Sequence, residues 1–190
     1  KLEHFRGIPL NSILLLSLSL VGMMIFSGFE TSFSIYTDYK FGLNSKQNSF
    51  LFLIIGVVAF FIQGSLIKIS IKPIKKAIFI SFLCIGCSLV LSALQTSLIL
   101  SLSPLILLIL GMAILNTHIP AELSTLTNRK GAILGIYESI NSIARILGPI
   151  LIISTFYQKI GDIYLYLGLI TLIFLFFSQV IFYKISKYKL

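Results

Sequence analysis

Glu30, Glu138, Arg145, His118 and the pair Cys84 and Cys87 are the side chains in this sequence whose types could do chemistry. Glu138 and Arg145 lie inside one apolar stretch, residues 131–149, reading GAILGIYESINSIARILGP. On an α-helix, positions 131, 135, 138, 142, 145 and 149 step by four and three and share a face. That face reads Gly, Gly, Glu, Ser, Arg, Pro, whereas Ile133, Ile136, Ile140, Ile143 and Leu147 fall mostly elsewhere. An acid and a guanidinium in hydrocarbon are costly, so such a face is expected to look into a bundle interior or a water-filled cavity. Cys84 and Cys87 form a C-x-x-C within an apolar run. A thiol–disulfide role would need a soluble βαβ setting, which is absent, so they read as small packing residues of a helix.

Composition determines what must position these groups. The chain is 57% hydrophobic and 11% charged, with mean hydropathy +1.02, against about 25% charged for a soluble domain. So much apolar surface needs a bilayer as its solvent. The net charge of +9 could suggest nucleic acid. However, the lysines sit between apolar runs and no soluble basic domain carries them, so no nucleic-acid partner is expected. No cofactor or metal site is expected either.

A hydrocarbon core of about 30 Å takes roughly 20 mostly apolar residues to cross. Six such runs occur, at about residues 12–36, 49–67, 77–94, 98–117, 131–157 and 163–183, joined by short connections. The predicted fold is all-α, one six-helix transmembrane domain over residues 1–190; nothing reads as the alternating strands of a β-barrel. The first run, followed by a charged loop and more spans, reads as a span rather than a cleaved leader. Lys1, Arg6, Lys68, Lys72, Lys75, Lys76, Arg129, Lys130, Lys184, Lys187 and Lys189, eleven basic residues, fall on one side, and Lys40, Lys46 and Lys159 on the other. The positive-inside rule puts the richer side, with both termini, in the cytoplasm. The lysines at 68–76 can also contact anionic lipid.

Buried polarity is concentrated in the first and fifth spans. At 1.5 Å per residue, Glu30 lies roughly 26 Å along the first span, Glu138 roughly 10 Å and Arg145 roughly 21 Å along the fifth. Glu30 and Arg145 therefore reach similar depths and can pair if their helices touch, as a structural pair or as substrate contacts. Glu138 has no basic partner in any span. It reads either as a neutral acid hydrogen-bonded to a neighbouring helix or as a cavity-lining proton carrier. His118 sits near the fourth span's end and reads as a solvated or capping histidine. Gly131 and Gly135 form a G-x-x-x-G, which permits close helix approach. The third and sixth spans hold no ionisable residue in their apolar stretches and suit lipid.

These residues resemble the Major Facilitator Superfamily. Phe29-Glu30-Thr31-x-Phe33, Phe41-Gly42 and Gln63-Gly64 resemble its seventh and eighth helices, closest to the drug:proton antiporter branch that includes the bacterial tetracycline exporters. Pro120-Ala121-x-x-Ser124 looks like the end of that branch's tenth helix. Gly131-x-x-x-Gly135 with Ser139, Ala144-Arg145 and Gly148-Pro149 looks like its eleventh. The resemblance runs from about residue 12 to the end. It implies the C-terminal six helices of a twelve-helix transporter, with the N-terminal six-helix half as a missing partner. Spans one, two, four and five would line the cavity or the interface between halves, with three and six peripheral. Glu138, Glu30 and Arg145 would be candidate proton or cavity residues, and Gly131, Gly135, Gly148 and Pro149 helix-packing residues. Two departures stand out: the 68–72 segment keeps basic charge without the family loop's glycines and aspartate, and Glu138 stands where glutamine is commoner.

The expected function is secondary active transport of a small molecule, with proton-coupled efflux the leading form, by a multi-pass protein of the cell (inner) membrane. One rival is a non-transporting remnant or assembly partner of a separate half. Another is an intramembrane enzyme, which needs a Ser/His pair or paired acids at membrane depth. His4 and His118 both fall near the membrane surface, and no span holds paired acids.

Overall fold

The structure, a computed structural model, describes residues 10–66, 69 and 71–187. Lys1, Arg6, Lys68 and Lys189, used above for orientation, lie outside the described residues, as does His4. Among the described residues, seven α-helices follow in order: α1 Leu10–Phe41, α2 Ser45–Leu66, α3 Ile74–Leu94, α4 Leu98–Leu102, α5 Leu105–Thr125, α6 Lys130–Phe156 and α7 Ile163–Lys187. A 3-10 segment, Tyr157–Asp162, joins the last two. Among the described residues, six stretches are long and apolar enough to cross a membrane, α4 and α5 together making the fourth.

Local chemistry sets the ends. Gly42, at φ +66°, donates its N–H to Asp38 O at 2.8 Å, the left-handed cap that a side chain would strain. Asn44 then starts α2 with a reciprocal box: Gln47 N–H donates to Asn44 Oδ1 and Asn44 N–H to Gln47 Oε1, each at 3.0 Å. Pro104, which has no N–H to give, separates α4 from α5. Its carbonyl accepts from the buried Ser88 hydroxyl of α3 at 2.6 Å. The fourth span is therefore broken near its start, and α5 runs on to Thr125 rather than ending near residue 117.

Two packing groups form the body. In the first, α1 lies along α6; Ser19 meets Asn141, Met24 meets Gly148 and Gly28 meets Ile152, so the two helices run parallel. In the second, α3 is flanked by α5 and α7. Gly111 of α5 sits against Ser81 and Cys84, and Gly168 of α7 against Gly86 and Val90, both antiparallel to α3. A side chain at Gly111 would meet Ser81 O at 2.6 Å, so glycine is what allows this approach. Free Cys84 and Cys87 are half-buried in this group. The core runs through Phe29, Phe33 and Tyr36 of α1, Phe82 and Leu89 of α3, and Leu108 and Ile119 of α5.

Helix α2 stands apart. Only Asn48 and Leu66 of it are buried, and Phe50, Leu53, Phe60 and Phe61 are exposed. Buried Asn48 anchors it to α1, its Oδ1 accepting from Thr37 Oγ1 at 2.6 Å. Helix α3 is half enclosed between α5 and α7, with Phe79, Ile80, Leu83 and Leu91 left outward. The reason is its small-residue face: Ser81, Gly86 and Ser88 are buried there and admit two neighbours.

Candidate transport face

Helix α6 is the most amphipathic long helix of the fold, and its two faces have opposite surroundings. Ile133, Tyr137, Asn141, Ala144, Gly148 and Ile152 are buried against the body. Gly131, Gly135, Glu138, Ser142 and Arg145 are exposed on the other face, with Pro149 half-exposed. The polar stripe thus points away from the other five spans, joined by the exposed apolar Ile143, Ile146, Leu147 and Ile150.

Two contacts orient this face. Ser19 Oγ of α1 donates to Asn141 Oδ1 at 2.7 Å in a buried setting, with Tyr137 adjoining. Ser27 Oγ of α1 donates to the Arg145 carbonyl at 3.0 Å. Arg145 O is the acceptor that residue 149 would normally serve in the helix ladder, and Pro149 has no N–H. Ser27 therefore supplies from α1 the donor that Pro149 removed, as polar backbone at membrane depth requires. Gly148 has a matching role: a Cβ there would strike the Met24 backbone carbonyl. The Gly148-Pro149 pair is thus where α1 docks.

Glu30 and Thr31 are exposed one turn beyond Ser27. Glu30 lies near enough to Arg145, across the α1–α6 contact, for the guanidinium charge to act on its carboxyl. Glu138 is exposed; its carbonyl accepts from Ser142 Oγ at 2.8 Å. The arrangement offers one cation and two carboxylates on a continuous outward surface of α1 and α6, able to bind a charged solute or exchange a proton.

Gly131 and Gly135 lie on the outward face, where a Cβ at either would find nothing within 4 Å among the described residues; Gly148 is the α6 glycine in close contact with α1. One expectation is corrected. His118 is neither solvated nor a cap: it is buried, at 9% exposure, because α5 continues past it. Sequence reasoning missed Ser19 and Asn141, and the bond that Ser27, a polar neighbour of Glu30 in the first span, makes to Arg145 O. The signal available was a second stripe, Tyr137, Asn141, Ala144, Gly148, in steps of four, three and four.

The profile of the Major Facilitator Superfamily matches residues 1–149. The chain belongs to the Major Facilitator Superfamily. In three dimensions it is similar to the crystal structure of the human organic anion transporter MFSD10 (TETRAN), with a TM-score of 0.79 and 21% identity. The match covers 88% of this chain and 40% of that one, a likeness of fold. No curated protein is a significant match to the chain. As a Major Facilitator Superfamily member with six membrane-length helices, it is an integral, multi-pass membrane protein of a transporter family rather than an enzyme, and its setting is the lipid bilayer.

Proposed function

We propose that this chain is the C-terminal six-helix half of a secondary transporter that exports a small molecule in exchange for protons, as in the drug:proton antiporter branch. The observation that carries this reading is the outward-facing stripe of Glu138, Ser142 and Arg145 on α6. Lipid is a poor neighbour for ionisable groups, whereas a water-filled cavity between two halves suits them. The exposed apolar residues beside the stripe fit contact with an N-terminal six-helix half, encoded in the same chain or separately. Both termini of this half lie in the cytoplasm of the cell (inner) membrane. Glu138 carries the proton, and Glu30 with Arg145 shapes the cavity wall.

Transport assayed in vesicles with the N-terminal half restored tests this. Glu138→Gln, which keeps size and removes the titrating group, is expected to flatten the dependence of substrate flux on pH. Unchanged pH dependence in that variant would overturn the proton role of Glu138.

A further inference from the structure

The imidazole of His118 joins two segments distant in sequence. Its Nδ1 lies 3.0 Å from the Ile114 carbonyl, one turn back on α5. Its Nε2 lies 3.0 Å from the Ile71 amide N–H, in the connection between α2 and α3. A carbonyl can only accept and an amide N–H can only donate, so only one protonation state satisfies both bonds. The ring must be neutral, with its hydrogen on Nδ1 and a bare Nε2 accepting from Ile71. A second proton on Nε2 would set two donors against each other at 3.0 Å and break the bond to Ile71.

The proton has a route in. Beside the ring is a cleft of about 680 Å³ lined by Ile71, Lys72, Pro73, Glu122 and Thr125, so a buried ring borders an open space. Its charged lining groups are Lys72, from the connection, and Glu122, one turn further along α5. On the flanking helices, α3 carries Lys75 and Lys76 in its first turn and α6 begins with Lys130. On the α2 side the neighbours are the apolar Ile62 and Leu66, and α1 carries its charges, Glu30, Asp38 and Lys40, towards its far end.

We propose that His118 is a proton-binding site that latches residues 71–73, just before α3, to α5, holding them when the ring is neutral and releasing them when Nε2 takes a proton. Imidazole is the side chain that ordinarily changes charge between about pH 5 and 8. The segment released carries Lys72 and leads into Lys75 and Lys76, so acidification frees a cationic stretch that the latch otherwise positions. This device operates whatever the chain transports and stays separate from the Glu138 stripe.

The full chain in lipid nanodiscs, with ¹⁵N-labelled histidine, tests it. The sequence has 2 histidines, and His4→Gln leaves the His118 signals alone. At pH 8 the spectrum should report Nδ1–H with Nε2 bare. As pH falls to 5, Nε2 should become protonated. Over the same pH range, amide hydrogen exchange at Ile71, corrected for its intrinsic pH dependence, should lose protection by about fivefold or more. In His118→Gln, whose amide can accept from Ile71 at every pH, that protection should stay constant. An Nε2–H tautomer at pH 8, no protonation by pH 5, or protonation without loss at Ile71 would each overturn the latch. Should the glutamine variant fail to fold, the wild-type titration still decides.

Discussion

Replacing Ser27 with alanine measures the debt that Pro149 leaves in α6. The Ser27 hydroxyl donates to Arg145 O at 3.0 Å, and Ser27 is buried. Its removal leaves a helix carbonyl with neither its ladder partner nor a substitute. An unsatisfied buried acceptor costs about 1–3 kcal/mol, but polar contacts between membrane helices average nearer 0.6 and reach about 1.7 kcal/mol. We therefore expect Ser27→Ala to cost about 1–1.5 kcal/mol. In the Pro149→Ala background the restored N–H bonds to Arg145 O within the helix, and the cost of Ser27→Ala should fall to a few tenths. The coupling in this double-mutant cycle is thus about 1 kcal/mol. For a chain of this size that is roughly 2–4 °C in Tm. The protein has no tryptophan, but free, half-buried Cys84 and Cys87 give a native readout. A thiol-reactive fluorophore labels them as the fold opens on heating in detergent. Equal losses from Ser27→Ala in both backgrounds would refute the substitution of one donor for the other.

Three further outcomes are expected. Gly148→Ala, which drives a methyl into the Met24 carbonyl, should lose about 2–3 kcal/mol, whereas Gly135→Ala, with open space around it, should gain up to about 1 kcal/mol from helix propensity; thiol-labelling melts of both variants check the opposite signs. Asn141→Leu should cost about 1–3 kcal/mol by leaving the buried Ser19 hydroxyl unpaired, and adding Ser19→Ala should recover part of it in the same melt. Exchanging Glu30→Arg with Arg145→Glu should restore folding lost in either single change, read as the yield of monodisperse protein; no recovery would show that their attraction does not matter.

The sequence by itself determined the solvent and the scaffold. Hydrophobic runs long enough to cross a bilayer, with almost no charge between their ends, leave a helix bundle as the way to satisfy the backbone, and six spans follow from counting. It also marked the chemistry, because Glu30, Glu138 and Arg145 stand out against an apolar background. What tertiary structure decided is which side of each helix meets protein. Periodicity placed Gly131, Gly135 and Glu138 on one face of α6, but could not say whether that face was inside the body. The three-dimensional fold put Tyr137, Asn141 and Gly148 inward and turned the charged stripe outward. Nor could spacing reveal that Ser27 completes the ladder broken by Pro149, or that His118 reaches Ile71. Those bonds join residues 118 and 47 positions apart. Lipid-facing and packed faces of membrane helices are both largely apolar, so hydrophobicity marks a span without telling its lipid side from its packed side. Only the fit of small residues and paired polar groups between helices separates the two.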